Sequence, residues 1–190
     1  IASEATSARS QECMDDVKEA LRRLDVLSYG LSHTLRPPLS EAEAVDVDAA
    51  AQAALEGARI RRRAEAAPPV EVELDVSGDG TVQLPRGLLA IVLDCVFDNA
   101  LDAFESDGRG TLRVRNTSEG LDIENDGPMI ATEIHHTLFE PFIGVAHHRR
   151  FRPGLGLSRA RAAADRAQCS LTMDESTEQR TLFRLRPNPA

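Results

Sequence analysis

Gly87-Leu-Leu-Ala-Ile-Val-Leu-Asp-Cys-Val-Phe-Asp-Asn-Ala-Leu-Asp-Ala-Phe104 is the stretch on which the reading of the fold turns. Leu88, Leu89, Ile91, Val92, Val96, Phe97 and Ala100 make it apolar around most of its circumference, so it predicts a central, buried helix. Asn99 is the anomaly, an amide on a helix that otherwise has little use for one.

Strands are expected on both sides of this helix. Val70-Glu-Val-Glu-Leu-Asp-Val76 alternates apolar and acidic residues at period two, and Ser77-Gly-Asp-Gly80 supplies a turn. Residues 111–116, 121–125, 169–174 and 181–185 read as further strands, with helices expected at 47–66 and 155–167 and a short one near 132–138. Helices and strands interleave without strict alternation, which gives an α+β class with a mixed sheet covered by helices on one face. Upstream, Cys13, Val17, Leu21, Leu24, Leu27, Leu31 and Leu35 recur at steps of four and three. They predict a long helix over Glu4–Leu35 with a narrow coiled-coil-like seam, ended by Pro37 and Pro38. Residues 1–39 are therefore expected as a dimerisation element, 40–46 as a linker and 47–190 as the globular domain.

Composition narrows the function. With 42% hydrophobic and 28% charged residues the balance is that of an ordinary soluble protein, and no apolar run approaches the roughly 20 residues of a membrane span. A net charge of -9 argues against nucleic acid as a partner, since such affinity rests on cations that neutralise phosphates. Cys13, Cys95 and Cys169 are odd in number and unpaired in spacing, which points to a reducing, cytoplasmic setting rather than to a disulfide framework or a zinc site.

Four motifs occur in order: Asp98-Asn-Ala-Leu-Asp-Ala103, Asn125-Asp-Gly-Pro128, Phe139-Glu-Pro-Phe142 and Gly154-Leu-Gly-Leu157. Together they resemble the N, G1, F and G2 boxes of the GHKL ATPases, and the last two resemble those of sensor histidine kinases in particular. The resemblance implies a Bergerat-type sandwich that binds ATP with Mg²⁺. It assigns Asn99 to the metal and Asn99, Asp102, Asn125, Gly127, Arg152, Gly154, Leu155, Gly156 and Leu157 to the nucleotide. Chemistry supports the assignment at two points. An amide oxygen is a suitable neutral donor to Mg²⁺, and glycines opening a helix let backbone N–H groups approach phosphate. Phe139 and Phe142 are expected as core anchors, the stretch Phe139–Pro153 as irregular, basic and mobile, and His135, His136, His147 and His148 as solvated.

The sequence also departs from the pattern. Asn125 stands where the family keeps an adenine-binding Asp, Met129 where G1 has its second glycine, Cys95 at the earlier N-box position, and Arg152 at the first glycine of G2. Asn125 would have to turn its NH₂ away for its oxygen to accept from adenine. Asp126 could replace it only with a one-residue slip, and Asp94 is a candidate base on a different helix azimuth from Cys95. Ser32-His-Thr-Leu-Arg-Pro-Pro-Leu39 imitates a phosphoacceptor box. Only residues 34–44 separate His33 from the domain, too few for the return helix of a stem, so Glu4–Leu35 reads as the second stem helix and His33 is set aside as acceptor. The expected function is a histidine kinase that phosphorylates a stem histidine for relay to a response regulator receiver domain, working as a homodimer through the N-terminal helix. The alternative is a degenerate pseudokinase or phosphotransfer scaffold.

Overall fold

The computed structural model describes residues 41–85, 87–143 and 154–188. The expected stem helix with His33, the basic residues 147–150 and Arg152 lie outside them. In chain order the elements are β1 (Ala42–Asp46), α1 (Val47–Ala64), β2 (Glu71–Gly78), β3 (Thr81–Pro85), α2 (Leu88–Ala103), β4 (Arg109–Thr117), β5 (Gly120–Asn125), α3 (Gly156–Arg166), β6 (Cys169–Ser176) and β7 (Thr181–Pro187). Single 3₁₀ stretches occupy Phe104–Ser106 and Thr132–Thr137.

A five-stranded sheet runs in the order β2-β4-β5-β7-β6. β2 lies parallel to β4 and every other pair is antiparallel, so the sheet is mixed as expected. Val72, Leu74 and Val76 of β2, Leu112 and Val114 of β4, Leu121 and Ile123 of β5, Leu171 of β6 and Phe183 and Leu185 of β7 belong to one apolar core with the helices. The opposite face is charged. Arg113 pairs with Glu124 at 2.9 Å, Arg180 with Glu124 at 3.2 Å, and Arg184 with Asp122 and Asp174. One face wet and one face dry is the two-layer solution for such a sheet.

α2 is the spine of the helical layer. Leu88, Val92, Leu93, Val96 and Phe97 are fully buried, and α1 and α3 pack on either side of it. Both flanking helices present alanine to the core, Ala51, Ala54 and Ala58 from α1 and Ala160, Ala163 and Ala164 from α3. Small side chains there bring three helices close together over one sheet.

One expectation is corrected. The stretch 40–46, read as a linker, contains β1, which pairs antiparallel with β3 as a separate two-stranded ribbon, Val45 opposite Val82. Its Ala and Glu residues are poor strand formers, and pairing with β3 supplies what propensity does not. Asp46 also caps α1, its carboxylate accepting from Ala49 N at 2.9 Å. β3 is likewise not among the strands the sequence predicts. It is tied to β4 by the buried Asn116, whose amide donates to Asp79 O at 2.7 Å and Thr81 O at 2.8 Å. At that point β2 passes so near β4 that a Cβ on Gly78 would lie 1.9 Å from Asn116 O.

Candidate functional site

Because α2 is buried on its sheet side, its polar residues are sorted by azimuth between the two neighbouring helices. Asp94 and Asp98, one turn apart, meet α1: Arg61 bonds Asp94 at 3.0 Å and Asp98 at 3.1 Å. Burial opposes the Arg61 charge, and the two carboxylates outweigh that cost and raise its pKa. Asp94, considered as a base, is thus committed to an ion pair. Asp102 also meets α1. Arg62, only 5% exposed, donates to Asp102 at 2.8 Å, to Glu105 at 2.8 Å and to Pro68 O at 3.0 Å. Asp102, expected at the nucleotide, is thus held by α1 through this ion pair.

Asn99 and Cys95 meet α3. A Cβ added to Gly156, the first residue of α3, would stand 4.0 Å from Asn99 Oδ1 and 4.0 Å from Cys95 Cβ. The metal-ligand candidate and the phosphate-loop glycine are therefore neighbours, and Asn99 is solvent-exposed. One neutral oxygen, open on the side of a helix N-terminus, suits a Mg²⁺ that takes its remaining ligands from triphosphate and water. No group of three His, Cys, Asp or Glu residues able to hold a metal on protein ligands alone occurs among the described residues. Arg159 of α3 reaches Cys95 Sγ at 3.2 Å. Burial pushes the Cys95 thiol above its ordinary range, although the charge and hydrogen bond of Arg159 oppose this. A neutral thiol cannot act as a base there.

At the C-terminal end of α2, one turn past Asn99, the β5 terminus approaches. Asn125 is 5% exposed, and its Oδ1 accepts from Gly127 N at 3.1 Å. Gly127 fits tightly, since a Cβ there would lie 3.0 Å from that oxygen and 3.3 Å from Ala103 Cβ. Asp126 faces the other way, with Oδ1 accepting from Thr111 N at 2.6 Å, so it does not substitute for Asn125. Thr181 of β7 is the register partner of Asn125 and is buried. Its hydroxyl bonds Ser176 Oγ at 2.9 Å, which in turn accepts from Ile130 N at 2.9 Å. Met129 is 47% exposed.

Of the two phenylalanines expected as anchors, only Phe139 is one. Its ring meets Phe183 edge-on at 6.4 Å, and Arg161 lies over it at 5.6 Å. Phe142 is 61% exposed with φ of 67°. Its N–H bonds Gly154 O at 3.1 Å, which clasps the two ends of the intervening segment together. Leu157 is a core residue, while Leu155 O accepts from Arg159 N and Ser158 Oγ at 3.0 Å. His135, read as solvated, bonds Ile130 O at 2.9 Å.

Residues 84–190 match the family described as the histidine kinase-, DNA gyrase B-, and HSP90-like ATPases. The chain belongs to this family. Over 114 residues it is 30% identical to the swarming motility regulation sensor protein RssA of Serratia marcescens, an alignment of 58% of this chain and 24% of that protein. It thus spans about a quarter of that relative's length. Among solved structures it resembles the Acinetobacter baumannii histidine kinase AdeS, with TM-score 0.56, 23% identity and coverage of 92% of this chain and 79% of that one. It also resembles the catalytic domain of histidine kinase ThkA, with TM-score 0.61, 16% identity and coverage of 78% and 96%. The fold is that of histidine kinase catalytic domains, the Bergerat-type sandwich the motifs implied. Among the described residues no helix is long and apolar enough to cross a membrane.

The two G2 glycines of this family member should respond differently to substitution. Gly154 has φ of 65°, and a Cβ on it would press to 2.4 Å from Ile143 O. Gly154→Ala should therefore lower stability by at least the roughly 1–2 kcal/mol of a left-handed non-glycine residue. Gly156→Ala meets only ordinary contacts, and should leave stability unchanged or raise it by up to about 1 kcal/mol while weakening nucleotide binding. Thermal melts of both variants, with nucleotide and without, check the contrast.

Sequence reasoning missed Arg62, Arg159 and Thr181. An Arg-Ile-Arg-Arg-Arg run at the end of a helix looks like a solvated basic turn, and only the packing shows which of its members turns inward.

Proposed function

We infer that this chain is the catalytic portion of a sensor histidine kinase, binding a purine nucleoside triphosphate with Mg²⁺ between α2 and the start of α3 and donating its γ-phosphoryl group to a histidine on a dimeric stem. The observation that carries this reading is the placement of Asn99 Oδ1 beside Gly156. Metal ligand and phosphate loop then share one opening. When bound, Mg²⁺ supplies charge neutralisation on the phosphates. The chain's own contribution is positioning: Asn99 offers the amide oxygen, the N-terminus of α3 presents backbone N–H groups, and Asn125 and Gly127 meet the base. Gly154, Leu155 and Leu157 shape the loop. ATP is the family's nucleotide, and a response regulator aspartate is the final acceptor. The N-terminal seam makes the homodimer.

Asn125 and Cys95 favour a second reading, a pseudokinase that keeps the fold with weakened binding. Titration with ATP separates the two. Saturating ATP with Mg²⁺ should stabilise the chain by about 2.7 kcal/mol at a hundred times its dissociation constant, and Asn99→Ala should remove the Mg²⁺ dependence of that gain. No thermal shift and no heat at millimolar nucleotide would favour the pseudokinase.

A further inference from the structure

Arg159 is a half-buried cation that forms no ion pair among the described residues. The two carboxylates on the helix it faces, Asp94 and Asp98, are turned to Arg61 of α1 instead. Its Nη2 meets the neutral thiol of Cys95 at 3.2 Å, while its Nε is buried and bonds no other described residue. Nη1 is not sealed from solvent. A carboxylate at position 95 would have claimed the guanidinium, and the thiol leaves it available. The helix adds to the imbalance. Arg159 is the fourth residue of α3, near the positive end of the helix dipole, with no acidic residue in the first turn and no side-chain cap. An N–H buried without an acceptor and a cation at a helix N-terminus both cost stability.

The place of this cation suggests what it is for. Gly156 and Arg159 stand three residues apart on α3 and share a face, as Cys95 and Asn99 do one turn apart on α2. The two pairs meet at Cys95, whose Cβ lies 4.0 Å from the Cβ position of Gly156 and whose Sγ takes Nη2 of Arg159. The guanidinium is thus on the same α2–α3 seam as the opening between Asn99 and Gly156, one turn further along. A phosphate at that opening supplies the anion that the guanidinium and the uncapped helix end both lack, and phosphate oxygens accept forked, charge-assisted hydrogen bonds from arginine. We propose that Arg159 is a phosphate-binding residue of the nucleotide site. This deepens the proposed function and rests on its placement of the triphosphate at Gly156.

Stability and binding should move in opposite directions, which separates this role from that of a tie between helices. Arg159→Met keeps the length of the side chain and removes its charge. Without nucleotide, its melting temperature should equal or exceed that of the unaltered chain, since a half-buried unpaired charge is gone. Calorimetric titration in Mg²⁺ should show ATP bound on the order of tenfold more weakly, the effect of one lost charge-assisted hydrogen bond, while adenosine at millimolar concentration binds as before. Arg159→Lys keeps the charge without the fork and should recover part of the ATP affinity. It is the deciding variant if circular dichroism shows the Met variant unfolded: selective loss of ATP affinity supports the proposal, and equal loss of ATP and adenosine overturns it. Unchanged ATP affinity in Arg159→Met, or ATP and adenosine weakened alike, overturns the proposal and leaves the nucleotide site standing. Binding of neither by the unaltered chain overturns both.

Discussion

Replacing Arg62 with alanine is expected to cost the domain about 3–5 kcal/mol, because it leaves Asp102 and Glu105 without the guanidinium that holds both at 2.8 Å. The Glu105 side chain is 6% exposed, so water cannot take the place of the lost partner. Against a total stability of about 5–15 kcal/mol such a loss brings the fold near its limit, and the melting temperature should fall by roughly 10 °C or more. Arg113→Ala is the control. It breaks an ion pair on the wet face of the sheet, where the side chain is 41% exposed, and should cost no more than about 1 kcal/mol. Equal melting temperatures for the two variants would show that Arg62 is not the lock between α1 and α2.

Phe97→Ala should be comparably severe, at about 3–5 kcal/mol, since the ring is wholly buried in the core and its removal leaves a cavity there. A functional effect should follow the structural one. Phe97 lies two residues before Asn99, so a spine that shifts to fill the cavity carries the amide away from Gly156. Nucleotide affinity should therefore drop at temperatures where the variant is still folded, which calorimetry below the melting transition can measure. Ile60→Ala removes an apolar side chain that is 56% exposed, and should change stability by no more than about 0.5 kcal/mol.

How much of this was legible in the sequence depended on whether the information was local. The central helix was readable because its apolar residues far outnumber its polar ones, and the strands β2, β4, β5, β6 and β7 because alternation is written along each strand. β1 and β3 were not, because Ala42–Asp46 becomes a strand only through its partner. In the site, Asn99 and the two glycines could be singled out from their residue types and order, yet their neighbourhood depends on α2 and α3 lying side by side. Asp102 and Asn99 sit three residues apart on one helix, and nothing local says that one turns to Arg62 and the other to Gly156. Asn125 was legible as a departure from the pattern, but not the orientation of its amide, which is set by a backbone N–H two residues on.

The clasp between Phe142 N and Gly154 O settles where a length change can be absorbed. Loop closure grows costlier only logarithmically with length, by about 0.6 kcal/mol for each doubling, once the ends are fixed by something other than the loop. Here the ends are fixed by their own hydrogen bond and by Phe139 seated against Phe183, so the cost of a length change between Ile143 and Gly154 falls on loop closure and not on the sandwich.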